Sequence, residues 1–419
     1  MAIKISNNLK ILAKILKTDL YIVGGYIRNS LLNLPNYDID IASNLSIEQI
    51  FERLDGTIYN VKIRSVKMGT VEIYAPNEVY QHTTFRKDSY NLNGTHEPTN
   101  SKFVADKSED ATRRDFTINC IYFNILSGEI YDKYNGIADI KNSTLKTIET
   151  PDKVFSEDGL RLLRLVRFAT ELNFTIESGT KESAKKYAKN LKAISGERKR
   201  NEIELILNAN SKYYKNASPL YGIQLLYELH LMPNIFYVEK FKWSFNKNNF
   251  TALNNNLPTH LKLSCFLICL FNAINNTQKI DFDKFIQIVS SKNALNLSNK
   301  EASYNAKLLK AFHFKSTITN IRKYIIKNQP VIEDLMLMLT AFNENALTEQ
   351  LKGERAKMQK EKVPLSVKNL KINGNDLKQN FKLEGNKIGT ILNKLLNVCI
   401  YTPSLNNKAD LLNLTAKML

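Results

Sequence analysis

Over roughly the first 140 residues, short apolar runs alternate with segments of helical period. Leu9–Lys17 repeats its apolar positions at helical spacing. "LYIVGG" reads as a strand closing in a glycine turn, and Arg28–Leu32 opens a second helix. "YDIDIA" alternates apolar and polar, and "GTVEIYA", "VYQHTTFR" and "TINCIYFNILSGEIYD" predict further strands. From "SEDGLRLLRLVRFATELNF" onward the strand signals fade. Helical periodicity with lysine and asparagine on the polar faces then runs to the C-terminus. Asn208–Ser218 and Gln350–Val363 are polar stretches suited to separating helical modules, and no internal repeat is present. The pattern predicts an α/β head followed by a long all-α body.

One stretch of the head carries chemistry. In a strand, Asp38 and Asp40 point to one face while Tyr37, Ile39 and Ile41 pack behind them. Two carboxylates so placed repel unless a cation lies between them, which is how acidic pairs hold Mg²⁺ against phosphate oxygens. Gly24-Gly25 lets backbone approach a triphosphate, whose charge the next helix N-terminus and Arg28 would balance. Taken alone, the D-x-D pair reads more readily as a solvated strand edge. The order strand, Gly-Gly, helix, D-x-D within one short unit is the minimal signature of nucleotidyl transfer.

Composition narrows the partners. The 419 residues are too many for one ordinary core and predict several domains. Lysine and arginine number 59 against 41 acids, a formal charge of +18 that favours a polyanion such as nucleic acid. A drift toward lysine-rich composition would give the same count. Cys120, Cys265, Cys269 and Cys399 form no metal or disulfide pattern, and Cys265 and Cys269 sit in an apolar helical run. No stretch approaches the roughly 20 apolar residues of a membrane span, and the N-terminus lacks a secretory pattern. A cytoplasmic protein with no membrane association is expected.

Four more segments follow in order: "RRDFTIN" (Arg113 to Asn119), "YDKYNGIADIKNSTL" with Gly136 and Asp139 on a turn, "EDGLRLLRLVRF" and "ISGERKRNEI". With "GGYIRN…DID" they resemble the class II CCA-adding enzymes (tRNA nucleotidyltransferases), a bacterial type without an HD domain, which share a family with bacterial poly(A) polymerases. The resemblance spans about residues 20–205 and continues more weakly in "LKINGNDLKQ" and "GNKIGTILNKLL". It implies an α+β fold. A polymerase-β-like nucleotidyltransferase head with a mixed sheet (residues 1–140) would precede an elongated all-α neck (141–207), body (208–325) and tail (326–419).

The resemblance also implies roles. Asp38 and Asp40 would hold Mg²⁺ as the catalytic pair, and Gly25, Arg28 and Arg114 would meet the nucleotide, with Arg113 and Asp115 as neighbours. Asp158 and Arg161, three apart on a helix, would serve as an amino-acid template. The carboxylate accepts from the exocyclic amine shared by cytosine and adenine, and the guanidinium donates to a ring acceptor. A guanine or uracil carbonyl would face the carboxylate unpaired, at a penalty of roughly 1–3 kcal/mol. Arg164 and Arg167 would continue the row toward the triphosphate. The bland alternative is a basic amphipathic helix with an aspartate cap. Glu197 and Arg198 would brace this helix. CTP, ATP and the 3′ end of tRNA would be the partners, the tail gripping tRNA, with no stable protein partner.

Two residues depart from the family pattern. Asn29 stands where aspartate usually follows the arginine, and Gln81 where glutamate is frequent; Glu72 on the preceding strand is a possible substitute. The five histidines, His82, His96, His230, His260 and His313, are scattered and read as structural or surface residues. The segment Lys87–Thr112 ahead of "RRDF" is full length and rich in loop residues. That favours whole CCA addition over CC-only addition, and "DGTIYNVKIRSVKMGTVEIY" lacks the histidines that mark the poly(A) polymerases. Poly(A) synthesis, CC addition and a non-catalytic RNA-binding protein of the same fold are the other readings.

Overall fold

The computed structural model describes residues 3–36, 38–91, 93–213, 217–239, 241, 243–276, 279–317 and 320–419. The chain divides into two compact units. The first comprises Met1–Phe250, Leu270–Ile280 and Gln287–Ser298; the second comprises Thr251–Cys269, Asp281–Ile286 and Asn299–Leu419.

The first unit opens with helix α1 (Asn7–Leu16), started by the Ser6 hydroxyl, which accepts from Leu9 N–H, and buried through Leu9, Leu12, Ala13 and Leu16. Strand β1 (Tyr21–Val23) runs into helix α2 (Gly25–Leu31), which begins three residues before Arg28 because Gly24 supplies its N-cap with φ 78°. Strand β2 (Ile39–Ser43) carries the acidic pair into helix α3 (Ile47–Leu54), fixed by a Ser46/Gln49 capping box. Strands β3 (Asn60–Ser65), β4 (Thr70–Ala75) and β5 (Glu78–Thr84) follow. Strands β6 (Arg86–Ser89) and β7 (Asn100–Phe103) and helix α4 (Lys107–Ala111) come next.

Strands β8 (Tyr122–Asn124) and β9 (Ile130–Tyr131) complete a seven-stranded mixed sheet of order β3-β4-β5-β2-β1-β8-β9. Only β2 and β5 pair in parallel within it, Asp40 opposite Gln81. The expected run of strand over "TINCIYFNILSGEIYD" is interrupted, since Thr117–Asn119 makes a 3₁₀ turn.

Two further local expectations are corrected. The segment expected as a loop, Lys87–Thr112, carries regular structure at both ends. Strands β6 and β7 pair antiparallel from Arg86–Phe103 to Ser89–Asn100, and Asp106 caps α4. Gly136 and Asp139, expected on a turn, lie in helix α5 (Gly136–Lys141), because the Asp132 carboxylate accepts from Gly136 and Ile137 N–H at 2.7 and 2.9 Å.

Strand β10 (Thr144–Leu145) leads to helix α6 (Pro151–Glu157). That helix stops at Asp158, whose φ/ψ of −142°/106° is extended, and α7 (Leu160–Leu172) begins two residues later. Asp158 therefore stands in a break and does not share one helix with Arg161. At the break Gly159 N–H donates to the Gly94 carbonyl at 2.8 Å, outside the helix, and the chain passes so close to the Asn190 carbonyl that a Cβ on Gly159 would lie 2.4 Å from its oxygen. Strand β11 (Thr175–Ile176), helix α8 (Ser178–Lys186) and helix α9 (Gly196–Leu207) follow, and α9 packs along α7.

The second unit is helical among its described residues. Its C-terminal helices Gly374–Phe381, Asn386–Tyr401 and Lys408–Met418 share a core of Leu377, Leu395, Cys399 and Leu411. Gln350–Val363 is not a separator, because helix Asn345–Lys360 runs through it and buries Leu351 and Met358. The other expected separator, Asn208–Ser218, holds a 3₁₀ turn at Ala209–Ser211, and its residues 214–216 lie outside the described residues. All four cysteines are buried thiols, and no described helix is long and apolar enough to cross a membrane.

Candidate active site

Asp38 immediately precedes β2 and Asp40 lies within it, with Ile41 buried behind the pair; Tyr37 lies outside the described residues. Gly24, in the left-handed region, brings α2 against the pair: a Cβ there would meet Asp40 Oδ2 at 3.8 Å. Burial raises the Asp40 pKa, Arg114 opposes the rise, and the Asp38 charge adds to it. Such a pair suits a divalent cation. Two carboxylates supply hard oxygen donors, and the remaining positions of a Mg²⁺ sphere are ones that phosphate oxygens and water fill. Among the described residues no group of three or more His, Cys, Asp or Glu side chains forms a fuller metal shell.

Facing the pair is a bank of arginines. Arg28 is 3% exposed, and its hydrogen bonds go to neutral amide oxygens: Asn29 Oδ1 at 2.9 and 3.1 Å and Asn119 Oδ1 at 2.6 Å. Asn119 in turn donates to Asp115 at 3.2 Å, and Asp115 accepts from Arg164 at 2.7 and 2.8 Å. Burial pushes the Asp115 pKa up, but Arg164 and its other donors dominate and hold it at about 2. Arg28, Arg164 and Arg167 pack around the Phe168 ring at 5.1, 5.2 and 4.2 Å from its centroid. Arg167 is engaged by carboxylates, 2.7 Å from Glu202 and 3.6 Å from Glu171. Arg114 stacks on Tyr122 and donates to its phenol at 2.8 Å.

Asp158 and Arg161 still meet despite the helix break. Asp158 Oδ1 accepts from Leu160 N–H at 2.8 Å, the cap that the bland reading foresees. Its Oδ2 lies 2.8 Å from His96 Nδ1 and 3.8 Å from Arg161 Nε. Arg161 donates to Val154 O, Glu157 and Arg113 O, which leaves Nε and one Nη2 hydrogen for another partner.

These side chains line one cavity of about 660 Å³. Gly24, Gly25, Asp38 and Asp40 lie on its wall together with Arg28, Arg114, Asp158, Arg161, Arg164 and Arg167. Every residue singled out for catalysis or nucleotide binding is thus brought together.

Other expectations shift. Glu197 is exposed and Arg198 lies 3.6 Å from Glu97; among the described residues, ties from α9 to its surroundings come from Glu202, on Arg167, and from fully buried Lys199, on the Asn293 carbonyl. Asn29 orients Arg28. Gln81 stands beside Asp40 on the sheet, whereas Glu72 lies one strand further away, paired with Arg64 and Tyr74. His96 faces the site, while His82 is buried against Ser43 with its pKa driven down to about 3 by burial.

Asp110 is the residue the linear motifs leave unmarked. Fully buried, it accepts from Arg86 N–H, Arg113 Nε, Arg114 Nη2 and Tyr122 OH at 3.1, 2.8, 3.1 and 2.6 Å. Its spacing of three and four residues to Arg113 and Arg114 is the signal that points to it.

The model described as the poly A polymerase head domain matches residues 20–146, and that of a probable RNA and SrmB-binding site of polymerase A matches residues 173–238. The CCA-adding enzyme of Ligilactobacillus salivarius is 29% identical over 418 residues, 95% of this chain and 92% of that protein. That of Streptococcus thermophilus is 39% identical over 192 residues, 45% of this chain and 46% of the relative. The crystal structure of the Bacillus stearothermophilus CCA-adding enzyme with CTP superposes with a TM-score of 0.70 at 21% identity, covering 94% of this chain and 93% of that one, a likeness of fold. With the site's geometry, these matches make residues 20–146 similar to the poly A polymerase head domain and the chain as a whole similar to CCA-adding enzymes.

Proposed function

We propose that this chain completes the 3′ end of tRNA by adding C, C and A from CTP and ATP. The observation that carries this reading is the shared cavity, with an acidic pair on one wall and a row of arginines facing it, of which buried Arg28 is held by amides alone. Arg28 pairs with no described carboxylate, so a bound phosphate would supply the charge its site lacks. Arg114 and Arg164 add donors on the same wall.

Asp158 Oδ2 and Arg161 Nε are the acceptor and donor for the base edge, once His96 yields its place on the carboxylate. Asp38 and Asp40 are the residues that would hold Mg²⁺. When bound, the ion supplies charge neutralisation of the phosphates and eases deprotonation of the attacking hydroxyl. The tRNA 3′-oxygen forms a bond to the α-phosphorus as the bond to pyrophosphate breaks. Pyrophosphate leaves with the bonding electron pair, and the hydroxyl proton passes to water.

The test is incorporation of labelled CTP and ATP into tRNA ending before CCA, before CA and before A. Three, two and one nucleotides respectively are expected, completing the order C, C, A. Stopping after CC, a run of A, or no addition would each replace this reading with one of its alternatives.

A further inference from the structure

A second cavity, of about 490 Å³, opens onto Asp40 from another side. It shares Asp40, Arg86, Arg113 and Arg114 with the first but contains none of the residues assigned to the base or to the triphosphate beyond Arg114. Its floor is the sheet. On adjacent strands Asp40 stands opposite Gln81, and Thr83 stands opposite Thr70, so with a period of two these four side chains belong to one face. The Gln81 side chain is exposed, and neither its amide nor the Thr83 hydroxyl makes a hydrogen bond among the described residues. Arg64, half exposed, stands at the rim.

Transfer of a nucleotidyl group needs the attacking oxygen and the leaving pyrophosphate on opposite sides of the α-phosphorus. With the triphosphate among the arginines of the first cavity, the hydroxyl must arrive from elsewhere past Asp40, and the second cavity ends there. We infer that this cavity seats the 3′-terminal nucleotide of the RNA acceptor, and that Gln81 and Thr83 recognise its ribose 2′-hydroxyl. The inference rests on the function proposed above. The chemistry matches: a 2′-hydroxyl both donates and accepts, as do a carboxamide and a threonine hydroxyl, and it is the group that separates RNA from DNA. A glutamine here also leaves Asp40 without a third carboxylate on its strand neighbour, so the acceptor's oxygens meet an amide and not a like charge.

The experiment uses the full chain and tRNA ending before CCA, its last nucleotide carrying either ribose or 2′-deoxyribose. Initial rates of single C addition give KM for each tRNA and for CTP. The unsubstituted protein is expected to prefer the ribose end about tenfold in kcat/KM, the size of one good hydrogen bond. Gln81→Ala and Thr83→Val should raise KM for the ribose-ended tRNA several-fold, leave KM for CTP unchanged and bring the ribose/deoxyribose ratio toward one. Thr83→Ser, which keeps the hydroxyl, should restore the ratio. An unchanged ratio in both variants, or a shift in KM for CTP alone, overturns the inference while the function stands. Absence of C addition by the unsubstituted protein overturns the function, and this inference with it. Photocrosslinking from a 4-thiouridine at the tRNA 3′ end gives a readout independent of turnover. Attachment within Thr70–Thr84 is expected, and attachment only elsewhere rejects the site.

Discussion

A buried guanidinium without a carboxylate beside it destabilises a fold, and Arg28 is such a group, held by two amides and the Phe168 face. Asp40 poses the same problem with the opposite sign. Its pKa is raised in the folded chain, first by burial, so the folded state holds its proton more tightly than the unfolded chain does. The stability associated with that proton is complete below the unfolded pKa and is lost as pH rises through the folded one. Asp40→Asn should therefore abolish incorporation yet raise the thermal midpoint without added Mg²⁺. The gain over the unsubstituted protein should be present at neutral pH and disappear as pH falls below the carboxylate range. Thermal unfolding across pH 3 to 8 checks it, and a lower midpoint at pH 7 would contradict it.

Asp110 behaves inversely. Burial raises its pKa but Arg113 and Arg114 dominate and hold it far below the usual range, so its contribution is present at neutral pH and lost only in strong acid. Asp110→Asn should cost about 3 kcal/mol in urea unfolding. Because Arg114 loses a tether, KM for CTP should rise about tenfold while KM for tRNA stays nearly constant. Asp158→Ala should slow CTP and ATP incorporation and relax rejection of UTP and GTP, measured on tRNA ending before CCA and on tRNA ending in CC. Full selectivity in that variant would remove Asp158 from base recognition.

At the scale of elements, the chemistry was more legible than its supports. Gly24-Gly25, Asp38 with Asp40, and Arg113 with Arg114 are local patterns, because a strand period or a glycine requirement is written in adjacent residues. The break at Asp158 was not, since the Gly159 N–H there bonds to the Gly94 carbonyl, 65 positions earlier in the chain. Neither was β6–β7, whose charged residues pair through Asp88, Arg86 and Ser101. This ribbon carries His96 at its tip, and His96 holds the carboxylate oxygen that a base amine would need. Replacing Asn91–Lys102 by a short turn removes β7 and that contact together. Both C additions should survive, because the smaller base needs only the Asp158 carboxylate that loss of His96 frees. Addition of the final A should fall at least tenfold, because admitting a purine requires the ribbon to re-seat the carboxylate. Separate single-turnover rates for C and A decide this, and equal losses for both would show a general structural role.

For the whole molecule, the excess of 18 positive charges is a statement about its partner. Several of the arginines in the cavity are already answered by carboxylates, among them Arg114, Arg164 and Arg167, so they leave little of the excess for RNA. The surface lysines carry the rest. Lys368, Lys371 and Lys378 are exposed around helix Gly374–Phe381, and none is in a salt bridge with a described acid. Such groups bind phosphate by releasing condensed counterions, which makes affinity fall linearly in log–log form with salt. We expect tRNA affinity to drop by on the order of 10²-fold or more between 50 and 200 mM salt, as for several phosphate contacts. Replacing all three lysines by alanine should lower the slope by about 2 to 3, roughly one for each lost contact, with kcat unaltered at saturating tRNA. Filter binding of full-length tRNA over that salt range measures both quantities. An unchanged slope in the triple variant would move the RNA-gripping surface away from this helix, and a flat response in the parent would assign the excess charge to some other purpose.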